Sequence, residues 1–144
     1  MAALSEILTL EVATPLGLVL RTEAESVAAP SVHGEFGVFA GHLPLLAALK
    51  PGVLKYRVQG KEHVAAVGAG FVEAGPEKVL LLCDVFAQPQ QIDTAAVQTE
   101  LADAEKELAS YGERYEGPRY EELQRQIDWC HARLEAKAEG GAGA

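Results

Sequence analysis

Val79-Leu80-Leu81-Leu82-Cys83-Asp84-Val85-Phe86-Ala87-Gln88-Pro89-Gln90-Gln91-Ile92-Asp93-Thr94-Ala95-Ala96-Val97 spans the point where one kind of sequence gives way to another. Left of Gln88, a short apolar run bounded by turn residues is strand-like. Right of Pro89, a polar spacer leads to Asp93 or Thr94, either of which can cap a helix by satisfying its orphan backbone N–H groups. Residues 1–88 are rich in Gly, Val, Leu and Pro and carry nine acids and six bases. Residues 89–144 are dominated by Ala, Glu, Gln and Arg, with twelve acids and six bases. The chain therefore divides into a β domain over 1–88, a linker over 89–91, a helical unit over 92–139 and a small-residue tail over 140–144 that is expected to be flexible.

Working back from the junction, Leu8, Leu10 and Val12 alternate with Thr9, Glu11 and Ala13, the period of a half-buried strand. Strands are predicted over Leu18–Thr22, Ser26–Ala29, Phe36–Phe39, Val53–Val58, His63–Val67, Phe71–Ala74 and Val79–Val85. Turns are predicted at Thr14–Gly17, Gln59-Gly60 and Gly75-Pro76. Strands this short and this closely spaced predict a sandwich or flattened barrel of about ten strands. Working forward, Val97, Leu101, Ala104, Leu108 and Tyr111 keep a helical spacing until Gly112. Pro118 opens a second helix, whose seam is Tyr120, Leu123, Ile127, Cys130 and Leu134. Two such seams joined by a short loop predict an antiparallel two-helix hairpin. The fold class is α+β.

With a net charge of -9 and a pI near 4.9, the chain is a poor partner for nucleic acid, which demands an excess of Lys and Arg. No run approaches the roughly 18 apolar residues of a membrane span, and Met1–Ile7 lacks the pattern of a secretory signal. Cys83 and Cys130 are too few and too far apart for a zinc site or a disulfide framework, and are expected to be free thiols in a reducing cytoplasm. His33, His42, His63 and His131 show no metal-ligand spacing, and no serine sits in a nucleophile elbow. Neither a cofactor nor a catalytic constellation is indicated. Gly68-Ala69-Gly70 opens like a dinucleotide fingerprint, but Glu73 stands where the third glycine belongs and strand residues follow.

Gly34-Glu35-Phe36-Gly37-Val38-Phe39-Ala40-Gly41-His42-Leu43-Pro44-Leu45 packs three glycines into eight residues, predicting a tight turn or bulge. Followed by Pro51-Gly52-Val53-Leu54, Gly68-Ala69-Gly70-Phe71-Val72-Glu73, Asp84 and Ile92-Asp93, it resembles the epsilon subunit of the proton-translocating F-type ATP synthase, from about Leu8 to the end of the second helix. The resemblance implies a non-catalytic central-stalk rotor subunit. Its sandwich would bind the gamma subunit and the proteolipid ring, and its hairpin would regulate ATP hydrolysis by extending toward an acidic segment of the catalytic beta subunit. It also implies a peripheral location on the cytoplasmic face of a bacterial plasma membrane.

By the same resemblance Glu35 and His42 are candidate contacts to the proteolipid ring, although His42 could instead merely stabilise its own turn. Some family members bind ATP through Ile-Asp-x-x-Arg-Ala; here Ala96 replaces the arginine, which leaves Asp93 as a helix cap and predicts weak or absent ATP binding. On the second helix Arg119, Arg125, Arg133 and Lys137 fall in one sector around Trp129, apart from Glu121, Asp128, Glu135 and Glu139. Such a stripe is either a solvated face or a regulatory contact made by Arg125, Trp129, Arg133 and Lys137. A free-standing β-sandwich binding module and a small hydrolase are the alternative classes.

Overall fold

The structure, a computed structural model, describes residues 7–42, 44–113 and 116–142, without the side chains of 141 and 142. The segment before residue 7 read above for a signal, Leu43 of the glycine-rich run, and tail residues 143 and 144 lie outside the described residues. Ten strands precede two helices. The strands are β1 (Leu8–Thr14), β2 (Gly17–Ala24), β3 (Ser26–Ser31), β4 (Gly34–Phe39), β5 (Leu45–Leu49), β6 (Gly52–Val58), β7 (Lys61–Val67), β8 (Gly70–Ala74), β9 (Lys78–Cys83) and β10 (Phe86–Ala87). A 3₁₀ turn over Pro89–Gln91 then leads to α1 (Thr94–Ser110) and α2 (Pro118–Ala142).

The strand order is β10-β7-β6-β3-β5-β8-β9-β1-β2, with β4 paired to the other edge of β3. Only one residue pair, Ser31 with Leu49, links β3 to β5, so the ladder folds there into two layers. Between the layers lies the main core. Leu8, Leu10, Val12, Val72, Val79 and Leu81 from one layer meet Val27, Val38, Leu54 and Val67 from the other. Burying each of these side chains stabilises the fold by roughly 1.5–3 kcal/mol. The β6–β7 hairpin closes at Gln59-Gly60, where both residues have positive φ (49° and 78°), the geometry of a tight two-residue hairpin turn. β1 and β9 run parallel, and the register of β1 against β2 shifts between Val12 and Ala13.

β6 and β7 are covered on both faces. Leu54 and Val67 point into the sandwich, while Val53 and Ala66 join Ile92, Val97, Cys130, Ala132 and Ala136 in a second apolar cluster under the helices. α2 supplies that contact, packing on β6 and β7, and α1 packs chiefly on α2. The helical seams meet as expected, with Ala104, Leu123 and Ile127 buried between Leu101, Leu108 and Tyr111.

The structure departs from the sequence expectations in three places. β5 is an additional strand over Leu45–Leu49, hidden in the sequence because an Ala-Leu run has no polar alternation. The single strand expected over Val79–Val85 ends at Cys83 and resumes as β10, since the chain switches layers at Asp84. The tail expected to be flexible from Gly140 is still helical through Ala142, and Gly140 is packed against Pro89 and Val64.

Candidate functional site

Three surfaces carry the residues that bear on function. The first is the glycine-rich run. Gly34 and Gly41 have positive φ (115° and 85°), whereas Gly37 is an ordinary strand residue. Beyond β4 the chain turns back, with the Gly41 N–H donating to the Pro76 carbonyl at 2.7 Å and the His42 N–H to the Phe39 carbonyl at 3.1 Å. His42 therefore lies in a tight corner against the β8–β9 turn. Glu35 sits near the opposite end of β4, opposite Pro30. Its carboxylate reaches Lys55 Nζ at 3.5 Å, and the same ammonium lies 3.9 Å from Glu139 on α2. Burial works to lower the Lys55 pKa, but Glu139 and Glu35 outweigh it and the pKa is raised. The structure thus does not bring Glu35 and His42 together; it ties Glu35 to the hairpin.

The second surface is the hairpin itself. Asp93 is the N-cap of α1, its Oδ1 accepting from the Ala96 N–H at 3.2 Å. The basic stripe of α2 is largely turned to the protein's own use. Arg133 donates to Glu100 of α1 and stacks over the Trp129 ring, its guanidinium carbon 5.2 Å from the centroid. Lys137 donates to the Pro89 carbonyl at 3.0 Å. Arg119 grips Glu107 of α1 through both ends of its guanidinium fork, at 2.5 and 2.6 Å. Trp129 packs beside the cluster under the helices, and Arg125 is exposed. So Arg133 is engaged inside the hairpin, with Glu100 and Trp129, and Lys137 is held by the linker while the hairpin is docked, where the sequence left this stripe as a solvated face or a partner contact.

Cys130 donates to Glu100 at 3.1 Å. Burial and the adjoining carboxylate push its thiol up to about 11. Cys83 is likewise buried and pushed up to about 11, mainly by desolvation, and both thiols are free. A groove of about 340 Å³ at the foot of α1 is lined by Asp93, Ala96, Glu100, Trp129 and Arg133. At Ala96 it has a methyl group in place of a cation, and its arginine is already held by Glu100. Among the described residues no group of three or more His, Cys, Asp or Glu could hold a metal, and no helix is long and apolar enough to cross a membrane.

The third surface was not singled out in the sequence. Register places Ala48, Phe71, Leu82, Ala13 and Leu18 side by side across β5, β8, β9, β1 and β2. This row lies on the outward face. Phe71 is 58% exposed, Leu82 50% and Leu18 57%, with Leu46 on the same layer at 72%. The Val79–Cys83 run shows no apolar–polar alternation because both of its faces are apolar, yet only Val79, Leu81 and Cys83 are buried. The apolar excess of that run was the available signal: one of its faces is core and the other is a surface an isolated soluble domain has no reason to keep.

The family model described as ATP synthase, Delta/Epsilon chain, beta-sandwich domain matches residues 7–89. The ATP synthase epsilon chain of Anaeromyxobacter dehalogenans (strain 2CP-C) is 38% identical over 110 residues, which are 76% of this chain and 83% of that one. That of Magnetococcus marinus is 38% identical over 128 residues, 88% and 91% of the two chains. Among solved structures, a chain in the Euglena gracilis mitochondrial ATP synthase OSCP/F1/c-ring assembly has the same fold, with a TM-score of 0.79 over 95% of this chain and 84% of that one at 19% identity. A chain of the Tetrahymena thermophila mitochondrial ATP synthase central stalk/c-ring assembly follows at 0.59, over 90% and 96% at 13% identity. With the sandwich matched from end to end and the likeness running on into the hairpin, this chain belongs to the ATP synthase epsilon chain family.

Proposed function

We propose that the protein is a non-catalytic rotor subunit in the central stalk of a proton-translocating ATP synthase, peripheral to the cytoplasmic face of a bacterial plasma membrane. The observation that carries this reading, beyond family membership, is the apolar row across β5, β8, β9, β1 and β2. It fits a permanent partner, and the gamma subunit is the occupant proposed. The corner at His42 would meet the proteolipid ring. Glu35, bound to Lys55, would contribute to that contact from the far end of β4.

The hairpin would regulate hydrolysis by leaving the sandwich and extending toward the catalytic beta subunit. Arg125, Trp129, Arg133 and Lys137 would act in that extended state. ATP is not proposed as a ligand. The missing guanidinium at position 96 removes a charge-assisted phosphate bond worth roughly 1.5–3 kcal/mol, and calorimetry on the isolated chain is expected to show no micromolar binding.

The test of the stalk assignment is co-purification with gamma. Wild-type protein is expected to form a stoichiometric complex and to show no ATP hydrolysis of its own. Phe71→Glu combined with Leu82→Glu should lose about 3 kcal/mol or more of apolar burial, roughly a hundredfold in affinity, with an unchanged thermal midpoint. Undiminished gamma binding by that double variant would exclude the apolar row as the contact.

A further inference from the structure

The chain leaves the sandwich at Pro89 and returns to the same residue at the end of α2. Lys137 Nζ donates to the Pro89 carbonyl at 3.0 Å, beside the bond which that oxygen already accepts from the Ile92 N–H at 3.1 Å. One turn on, Gly140 lies so close that a Cβ there would stand 2.5 Å from Pro89 Cγ and 3.3 Å from Val64 Cγ2. Between them Glu139 approaches Lys55 at 3.9 Å. Glycine is the poorest helix former after proline, so a helix ending in Gly140-Gly141 would fray if it were free. It runs instead to Ala142. Contacts with the linker and β7 hold it there.

We propose that this last turn of α2 is a latch. By clamping Pro89, the first residue of the segment on which the hairpin would have to swing, it keeps both helices docked. The hairpin then moves as a unit once the latch opens, because Arg119–Glu107 and Arg133–Glu100 lie wholly within it and α1 is held chiefly by α2. The latch rests on the reading that the hairpin can leave the sandwich but not on the stalk assignment, since its test reads the conformation of the isolated chain.

Cys130 reports the state of the latch. It is buried where both helices meet Val53 and Ala66, and lifting α2 uncovers it, while Cys83 stays in the sandwich core. Thiol labelling of the full-length chain under native conditions is the experiment, with Cys83 as internal reference. Gly140→Ala and Gly140→Val are expected to speed Cys130 modification, the valine variant by about tenfold or more, without changing Cys83. Exposed Ala138→Val should change neither thiol. Helix propensity alone predicts the opposite sign for Gly140→Ala, namely a firmer helix and slower labelling. Slower or unchanged labelling in both Gly140 variants overturns the latch. If both thiols accelerate together, Lys137→Met decides, because it removes only the hydrogen bond to Pro89. Faster Cys130 labelling in that variant supports the latch, and wild-type labelling overturns it.

Discussion

Glu100 carries more of the docked hairpin than its position on a charged helix face suggests. Burial alone would raise its pKa, but the bonds from Cys130 and Arg133 outweigh that and hold the carboxyl below its ordinary value of 4.5. A carboxylate depressed on folding contributes stability that is present above the unfolded value and lost as pH falls through the folded one. Helix–helix packing should therefore weaken on acidification below about pH 4.5, and a Glu100→Gln variant should show a smaller acid dependence. At neutral pH the same substitution is expected to cost about 1 kcal/mol or less, because the pair is partly exposed. Thermal melts at pH 7 and pH 4 check both statements. The thiol beside it should be inert. With both cysteines pushed up to about 11 and buried, negligible thiolate exists at pH 7, and unfolded protein should react far faster than native.

α1 stands or falls on its ends. Asp93 caps its start, and Gly112, at φ 74°, ends it in the left-handed conformation that a helix C-terminus favours. Asp93→Ala is expected to cost about 0.5–2 kcal/mol. The loss should appear as faster amide exchange in the first turn of α1, with β-strand exchange unchanged. On α2, the two arginines of the basic stripe are not equivalent probes of a partner contact. Arg133→Glu would set a carboxylate against Glu100 and break the hairpin's own pairing. Arg125 is exposed, so Arg125→Glu tests contact with an acidic partner while leaving the docked state intact.

Across the whole molecule, a net charge of -9 opposes approach to an acidic surface at long range, and in the proposed contact the basic stripe, Arg125 first, would favour it at close range. If the hairpin inhibits as proposed, inhibition of hydrolysis in the assembled enzyme should accordingly be modest and weaken with salt, since exposed charges are screened over about 8–10 Å. Truncation after Gly117 is expected to raise ATP hydrolysis, and Arg125→Glu to reproduce part of that rise at low salt. Assays of the reconstituted complex at two ionic strengths separate the outcomes. A truncation without effect would show that the hairpin does not inhibit.

Much of this was legible in the residues alone. Alternation in β1, the Gln59-Gly60 turn, the cap at Asp93, the break at Gly112 and the two seams are local, and their physics acts within a few residues. The sequence by itself therefore determined the element types and the junction near Pro89. Whatever depended on which distant segments meet was settled only by the tertiary structure. Val79–Cys83 is apolar on both faces, and only the layer's position makes one of them core and the other a surface. Trp129, Arg133 and Lys137 share a sector on any helix, but only the packing of α2 against α1 and against the linker turns that sector toward Glu100 and Pro89. Gly140 looked like the start of a loose tail because propensity is a local quantity, whereas the contact that orders it comes from Pro89, which precedes both helices in the chain.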